Sequence, residues 1–206
     1  MKIIFVRHGE PDDFDNDGNH LGNPKCLLTE IGQEEAKQAG IVIKNAYNPK
    51  YLISSTSPRA YQTAQIINEQ IGKNFEILEI GVDEEMQPNT VPYPLKISKE
   101  TFKKAIVTLS QAYTEAKRII MELLSKEFNG DVIHITHDQR MIMLHWLVLY
   151  NRKPKPEEYL NFWNNYKNTE LSQHQHPKTR HCKMFAIDSE NHKIEYPYEI
   201  YHKKAK

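Results

Sequence analysis

Lys2-Ile3-Ile4-Phe5-Val6-Arg7-His8-Gly9-Glu10 opens the chain, and its reading decides the fold. Lys2 to Val6 is a short apolar run rich in β-branched residues, which predicts a buried central strand. The run stops at Arg7-His8-Gly9, where polar side chains and a glycine begin abruptly. Asp131 to Thr136 repeats the pattern and breaks at His137-Asp138. Tyr51 to Ser54 and Phe75 to Ile80 read as two further strands.

Helical segments separate these strands. Thr29 can cap a helix that runs to about Ala46, with Ile31, Ala36, Ala39, Ile43 and Ala46 in helical period. Ser57-Pro58 starts a second helix, a capping hydroxyl followed by proline at the first helical position. Ala60, Ala64, Ile67 and Ile71 line one face of it, up to Gly72. The longest helix is expected from about Lys99 to Phe128, closed by Asn129-Gly130. Met141 to Leu149 is apolar and helical, and residues 156–167 also read as helix. Thr169 to Gln173, Lys183 to Asp188 and Lys193 to Tyr198 read as strands, the last two joined by a turn at Ser189-Glu190-Asn191.

Strand and helix alternate from residue 2 to residue 150, which predicts an α/β fold: a three-layer α/β/α sandwich with a mostly parallel central sheet. The 206 residues fit a single domain over 1–206. Pro88, Pro92 and Pro94 interrupt regular structure and place a small cap or insertion around 81–100.

Lys+Arg is 27 and Asp+Glu is 27, so the chain has no general attraction to nucleic acid or an anionic membrane, and anion specificity must be local. The opening apolar run is too short for a signal peptide or a membrane span, which predicts a cytoplasmic protein. Cys26 and Cys182 form no CxxC pair and read as two free thiols. Oligomeric state is left open by the sequence.

In a sheet of this kind, ligands bind beyond the carboxyl ends of the strands. Arg7-His8-Gly9, the segment Ser54 to Arg59, and Thr136-His137-Asp138 all follow strands, so two arginines and two histidines converge on one rim. That set suits a phosphoryl group. Arg7 and Arg59 can grip its oxygens in a forked fashion. A neutral imidazole, that of His8, is a competent nucleophile toward phosphorus. His137 and the guanidinium groups would stabilise charge on the equatorial oxygens without a metal ion, and Gly9 would let the backbone pass close to the bound group. No cofactor is implied. A carboxylic acid must then protonate the leaving oxygen and later activate water.

Val6-Arg7-His8-Gly9-Glu10 resembles the opening motif of the histidine phosphatase superfamily, which includes the cofactor-dependent phosphoglycerate mutases. Leu28-Thr29-Glu30 with Gly32 and Ala36 resembles its next block. Ser54-Ser55 with Arg59-Ala60 and Thr63-Ala64 resembles the third, and Thr136-His137 the fourth. The resemblance covers residues 1–150, and the ordered set is far more specific than Arg-His-Gly alone. It implies His8 as phosphoacceptor, with Arg7, Arg59 and His137 completing the phosphate pocket and a small phosphorylated substrate as ligand. The chain departs from the family's small-enzyme branch, which carries Thr and Asn where Pro11 and Phe14 stand here. Three carboxylates compete as proton donor. Glu84 and Glu85 lie in the segment where that branch places its acid, although Pro88 falls in the donor slot itself if Met86 takes the usual leucine place. Asp138 follows His137 as the acid does in the acid-phosphatase branch.

The expected activity is hydrolysis of phosphomonoesters through phosphohistidine at His8. A phosphoglycerate mutase-type transferase, or a phosphate-binding module without an efficient acid, are the alternatives. His134 reads as a buried core histidine. His174, His176, His181 and Cys182 read as structural rather than metal ligands, and Lys96, Lys99, Lys103 and Lys104 as a solvated helical face. Trp146, Phe162, Trp163 and Tyr166 read as packing.

Overall fold

The structure is a computed structural model that describes residues 1–13, 21, 23, 25–79, 99–166 and 182–197. The elements in chain order are β1 (Lys2–Arg7), α1 (Glu30–Ala46), β2 (Pro49–Ser54), α2 (Pro58–Ile71), β3 (Ile77–Glu79), α3 (Lys99–Ser125), β4 (Asp131–Thr136), α4 (Asp138–Tyr150), α5 (Pro156–Tyr166), β5 (Met184–Asp188) and β6 (Ile194–Glu195). The sheet order is β3-β2-β4-β1-β5-β6. β1 through β4 run parallel, while β5 and β6 turn antiparallel at one edge.

β1 lies between β4 and β5, so both of its edges are hydrogen-bonded within the sheet. Its side chains alternate between two cores, as strand geometry requires. Ile3 and Phe5 join Val132, Ile119, Leu123, Leu144 and Phe185 against α3 and α4. Ile4 and Val6 join Ile133, Ile135, Ala39, Ile43 and Ile67 against α1 and α2. Helices on both faces of one sheet make the three-layer sandwich expected from the alternation.

Several bounds differ from the sequence reading. α3 ends at Ser125, short of Phe128. Phe128 leaves the helix to lay its ring on Tyr51, 4.6 Å between centroids. α4 begins at Asp138, with His137 as its N-cap, so the helix starts three residues before the apolar run at Met141. β6 spans only Ile194–Glu195, which pair with Ile187 and Ala186 of β5. The expected strand Thr169 to Gln173, the histidines 174, 176 and 181, and the segment 81–98 lie outside the described residues. His134 is buried with its ring edge-on to Phe5, and Trp146 is buried in the α3–α4 core. Cys26 and Cys182 are both buried free thiols.

Candidate active site

Parallel register brings three strand ends to one edge of the sheet. Arg7 pairs with Thr136 and Ser54 with Ile135, so the residues that follow each strand emerge side by side. His8 stays tied to this edge, its backbone N–H donating to the Thr136 carbonyl at 3.0 Å. Its ring is buried, only 6% exposed.

The hydrogen bonds of that ring fix its proton. Nδ1 lies 2.7 Å from the Gly9 carbonyl oxygen, which can only accept, so Nδ1 carries the hydrogen. Nε2 then presents a lone pair, and Arg59 Nε–H donates to it at 3.3 Å. The His137 ring stands across the pocket with its centroid 5.2 Å from that of His8. Ser55 Oγ holds His137 Nε2 at 2.9 Å. Arg7 Nη1 lies 3.6 Å from Asp138 Oδ2. Burial holds His8 well below its ordinary pKa of 6.5, and the nearby His137, Arg7 and Arg59 push in the same direction against the opposing Gly9 bond. A neutral imidazole with its Nε2 lone pair aimed into a cationic pocket can attack an electrophilic phosphorus, and the cations can hold an incoming dianion.

The loop after His8 is locked by close backbone packing. A Cβ on Gly9 would overlap the Gly32 carbonyl oxygen, and a Cβ on Gly32 would overlap the Glu10 carbonyl oxygen. Gly9 is thus required by the approach of α1 rather than by room for a ligand alone. Thr29 caps α1 as expected, its Oγ1 accepting from Gly32 N–H at 3.0 Å, and it also donates to Glu10 Oε1 at 3.0 Å. Ser57 is the N-cap of α2 by backbone geometry, but its expected hydroxyl cap does not form. Pro58, with φ already set for a helix and no N–H to satisfy, starts the turn without it.

The structure therefore brings together Arg7, His8, Gly9, Arg59, His137 and Asp138. Glu84 and Glu85 lie outside the described residues. Four neighbours were not among the candidates read from the sequence. Cys26 Sγ sits 3.7 Å from Arg59 Nη1. Ser55 holds His137. Thr63 Oγ1 accepts from Gly9 N–H at 3.0 Å and donates to the Arg59 carbonyl at 2.7 Å. Glu35, only 5% exposed, accepts from Glu10 N–H at 2.7 Å. Ser55 and Thr63 fall inside the third motif block and were visible there. Cys26 and Glu35 carry no pattern signal.

The family profile of the histidine phosphatase superfamily (branch 1) matches residues 3–179. The chain belongs to that superfamily. Solved structures agree on the fold. A phosphoserine phosphatase from Entamoeba histolytica, solved with phosphoserine, superposes with a TM-score of 0.63 at 17% identity, covering 95% of this chain and 94% of that one. A mycobacterial glucosyl-3-phosphoglycerate phosphatase, solved with VO3, superposes with a TM-score of 0.57 at 15% identity, covering 91% and 92%. No curated protein matches the chain in sequence. Among the described residues of this histidine phosphatase superfamily member, no helix is long and apolar enough to cross a membrane.

Proposed function

We propose that this chain is a metal-independent phosphomonoesterase that passes the phosphoryl group of a small substrate through His8. The observation that carries the reading is the state of His8: proton on Nδ1, lone pair on Nε2, Arg59 in front and His137 across the pocket. Arg7, Arg59 and His137 grip the dianionic phosphoryl group. His8 Nε2 attacks phosphorus, and the ester P–O bond breaks as the leaving oxygen takes a proton from a carboxylic acid. Water then attacks the phosphohistidine and gives its proton to the same carboxylate. The P–N bond breaks, and free inorganic phosphate and neutral His8 are restored.

Asp138, Glu84 and Glu85 are the candidates for that acid. Asp138 already stands beside the pocket at Arg7. In this reading the chain acts as one cytoplasmic domain, with the segment around 81–100 as its cap. The solved phosphatases carry phosphoserine and VO3, and such anions match the charge of the arginines here.

Turnover of p-nitrophenyl phosphate by the wild type and by His8→Ala tests the nucleophile. Activity should vanish in the variant, and equal rates in both would refute the assignment. Asp138→Asn, Glu84→Gln and Glu85→Gln, each assayed on p-nitrophenyl phosphate and on an alkyl phosphate, identify the acid. Loss of the donor should slow the alkyl ester by about 100-fold and the nitrophenyl ester far less, since nitrophenolate leaves without protonation.

A further inference from the structure

We infer that Glu35 is a positioning residue that orients the His8 nucleophile through the Gly9–Glu10 peptide group. The Gly9 carbonyl that accepts from His8 Nδ1–H and the Glu10 N–H that donates to Glu35 Oε2 belong to one planar amide. In a trans amide these two groups point in opposite directions. The imidazole therefore holds one end of the unit and the carboxyl group holds the other. Both bonds are 2.7 Å long.

The placement has a physical logic. Gly9 has no side chain, so its backbone orientation must be imposed from outside. Gly32 packs against it from α1, and Thr63 takes the preceding N–H from α2. Those contacts fix where the loop lies. The plane of the next amide, and so the aim of its carbonyl at His8, is held by Glu35. An acceptor on the N–H also polarises the amide and strengthens its carbonyl as an acceptor, as linked hydrogen bonds do. The chain imidazole–peptide–carboxyl thus resembles the base-and-orienter logic of hydrolytic triads, with a peptide group inserted between the two side chains. Attack by Nε2 leaves the imidazole ring cationic, and the Nδ1–H bond to the carbonyl then stabilises it.

The inference rests on the proposed role of His8, but it can be tested apart from it. Glu35→Leu removes the acceptor and Glu35→Gln keeps one. On p-nitrophenyl phosphate, Glu35→Leu should lose about tenfold or more in kcat with KM within about twofold, and Glu35→Gln should stay within about threefold of wild type. Nitrogen-15 spectra of the ring should show a single Nδ1–H tautomer of His8 in wild type and Glu35→Gln, and a mixture in Glu35→Leu. Wild-type kcat in Glu35→Leu, an unchanged tautomer there, or equal impairment of both variants would each overturn the inference. Should Glu35→Leu not fold, the wild type decides. Its Glu10 amide should be protected from hydrogen exchange, with the His8 proton on Nδ1, and a freely exchanging Glu10 amide overturns the inference. Failure of His8 as nucleophile would appear instead as full activity in His8→Ala, with these spectra unaffected.

Discussion

In the proposed mechanism, His8 acts as nucleophile because it is held neutral where a free imidazole would titrate. Burial comes first, then the electrostatic influence of His137, Arg7 and Arg59, and together they hold its pKa well below 6.5. The nucleophile is then available across neutral pH and is lost only when acid forces a proton onto Nε2. The acid limb of kcat/KM, corrected for ionisation of the ester, should lie clearly below pH 6.5, and a limb at or above that value would contradict the electrostatic account. Gly9 allows a second test. Gly9→Ala must push its methyl into the Gly32 carbonyl, and neither backbone can yield without moving β1 or the start of α1. That variant should lose about 3 kcal/mol of stability in urea denaturation. Arg7, His8, Arg59 and His137 were legible in the sequence because each stands at the end of a strand or in the first turn after one, where the sheet edge dictates position. Glu35 was not legible, because its use depends on how far α1 is rotated about its axis. Helical period marks the buried face of α1 through Ala36, Ala39 and Ile43, but it does not say that a carboxyl group on that face meets the Glu10 amide.

His145 shows what an element can hide in its core. It lies on the buried side of α4, stacked 5.1 Å from Phe185, edge-on to Phe162 at 5.8 Å and 3.5 Å from the Tyr196 hydroxyl. Burial lowers its pKa from 6.5 to about 4. The unfolded chain therefore takes up a proton near pH 6.5 that the folded chain refuses until about pH 4. Its contribution is complete above pH 6.5 and falls by about 3 kcal/mol as pH drops toward 4. Urea midpoints measured between pH 7 and pH 4.5 should fall steeply in the wild type and less in His145→Phe, which keeps an aromatic ring among Phe162, Phe185 and Tyr196. Equal slopes in the two proteins would rule out this source of acid sensitivity. The elements themselves were largely readable: β4 spans Asp131–Thr136 as read, and α1 runs from Glu30, after its Thr29 cap, to Ala46 as expected. The misread bounds lie where apolar period gives no signal. Phe128 leaves α3 to pack on Tyr51, and α4 begins at Asp138, on polar residues ahead of its apolar run.

At the scale of the whole molecule, the pocket belongs to no single element. Arg7 ends β1 and His8 follows it, Arg59 rides the first turn of α2, and His137 joins β4 to α4. Overall charge is balanced, 27 basic against 27 acidic residues, so the positive potential at this rim comes from topology rather than composition. A bound dianion would bridge segments separated by up to 130 positions in the sequence, and those segments come apart together only when the sheet unfolds. Ligand binding should therefore stabilise the global fold rather than one loop. At a concentration of phosphate or orthovanadate near 100 times its Kd, the gain is about 2.7 kcal/mol. For a chain of this length that corresponds to a rise in Tm of about 5 to 10 °C. Arg59→Ala should fold and show little of that rise, because it removes the donor that faces His8 Nε2 and leaves the core of α2 through Ala60, Ala64 and Ile67 intact. His8→Ala should keep most of the shift with phosphate, since the cationic grip survives the loss of the nucleophile. An equal rise in the wild type and in Arg59→Ala would place the anion elsewhere on the molecule and undo the reading of this rim as its site.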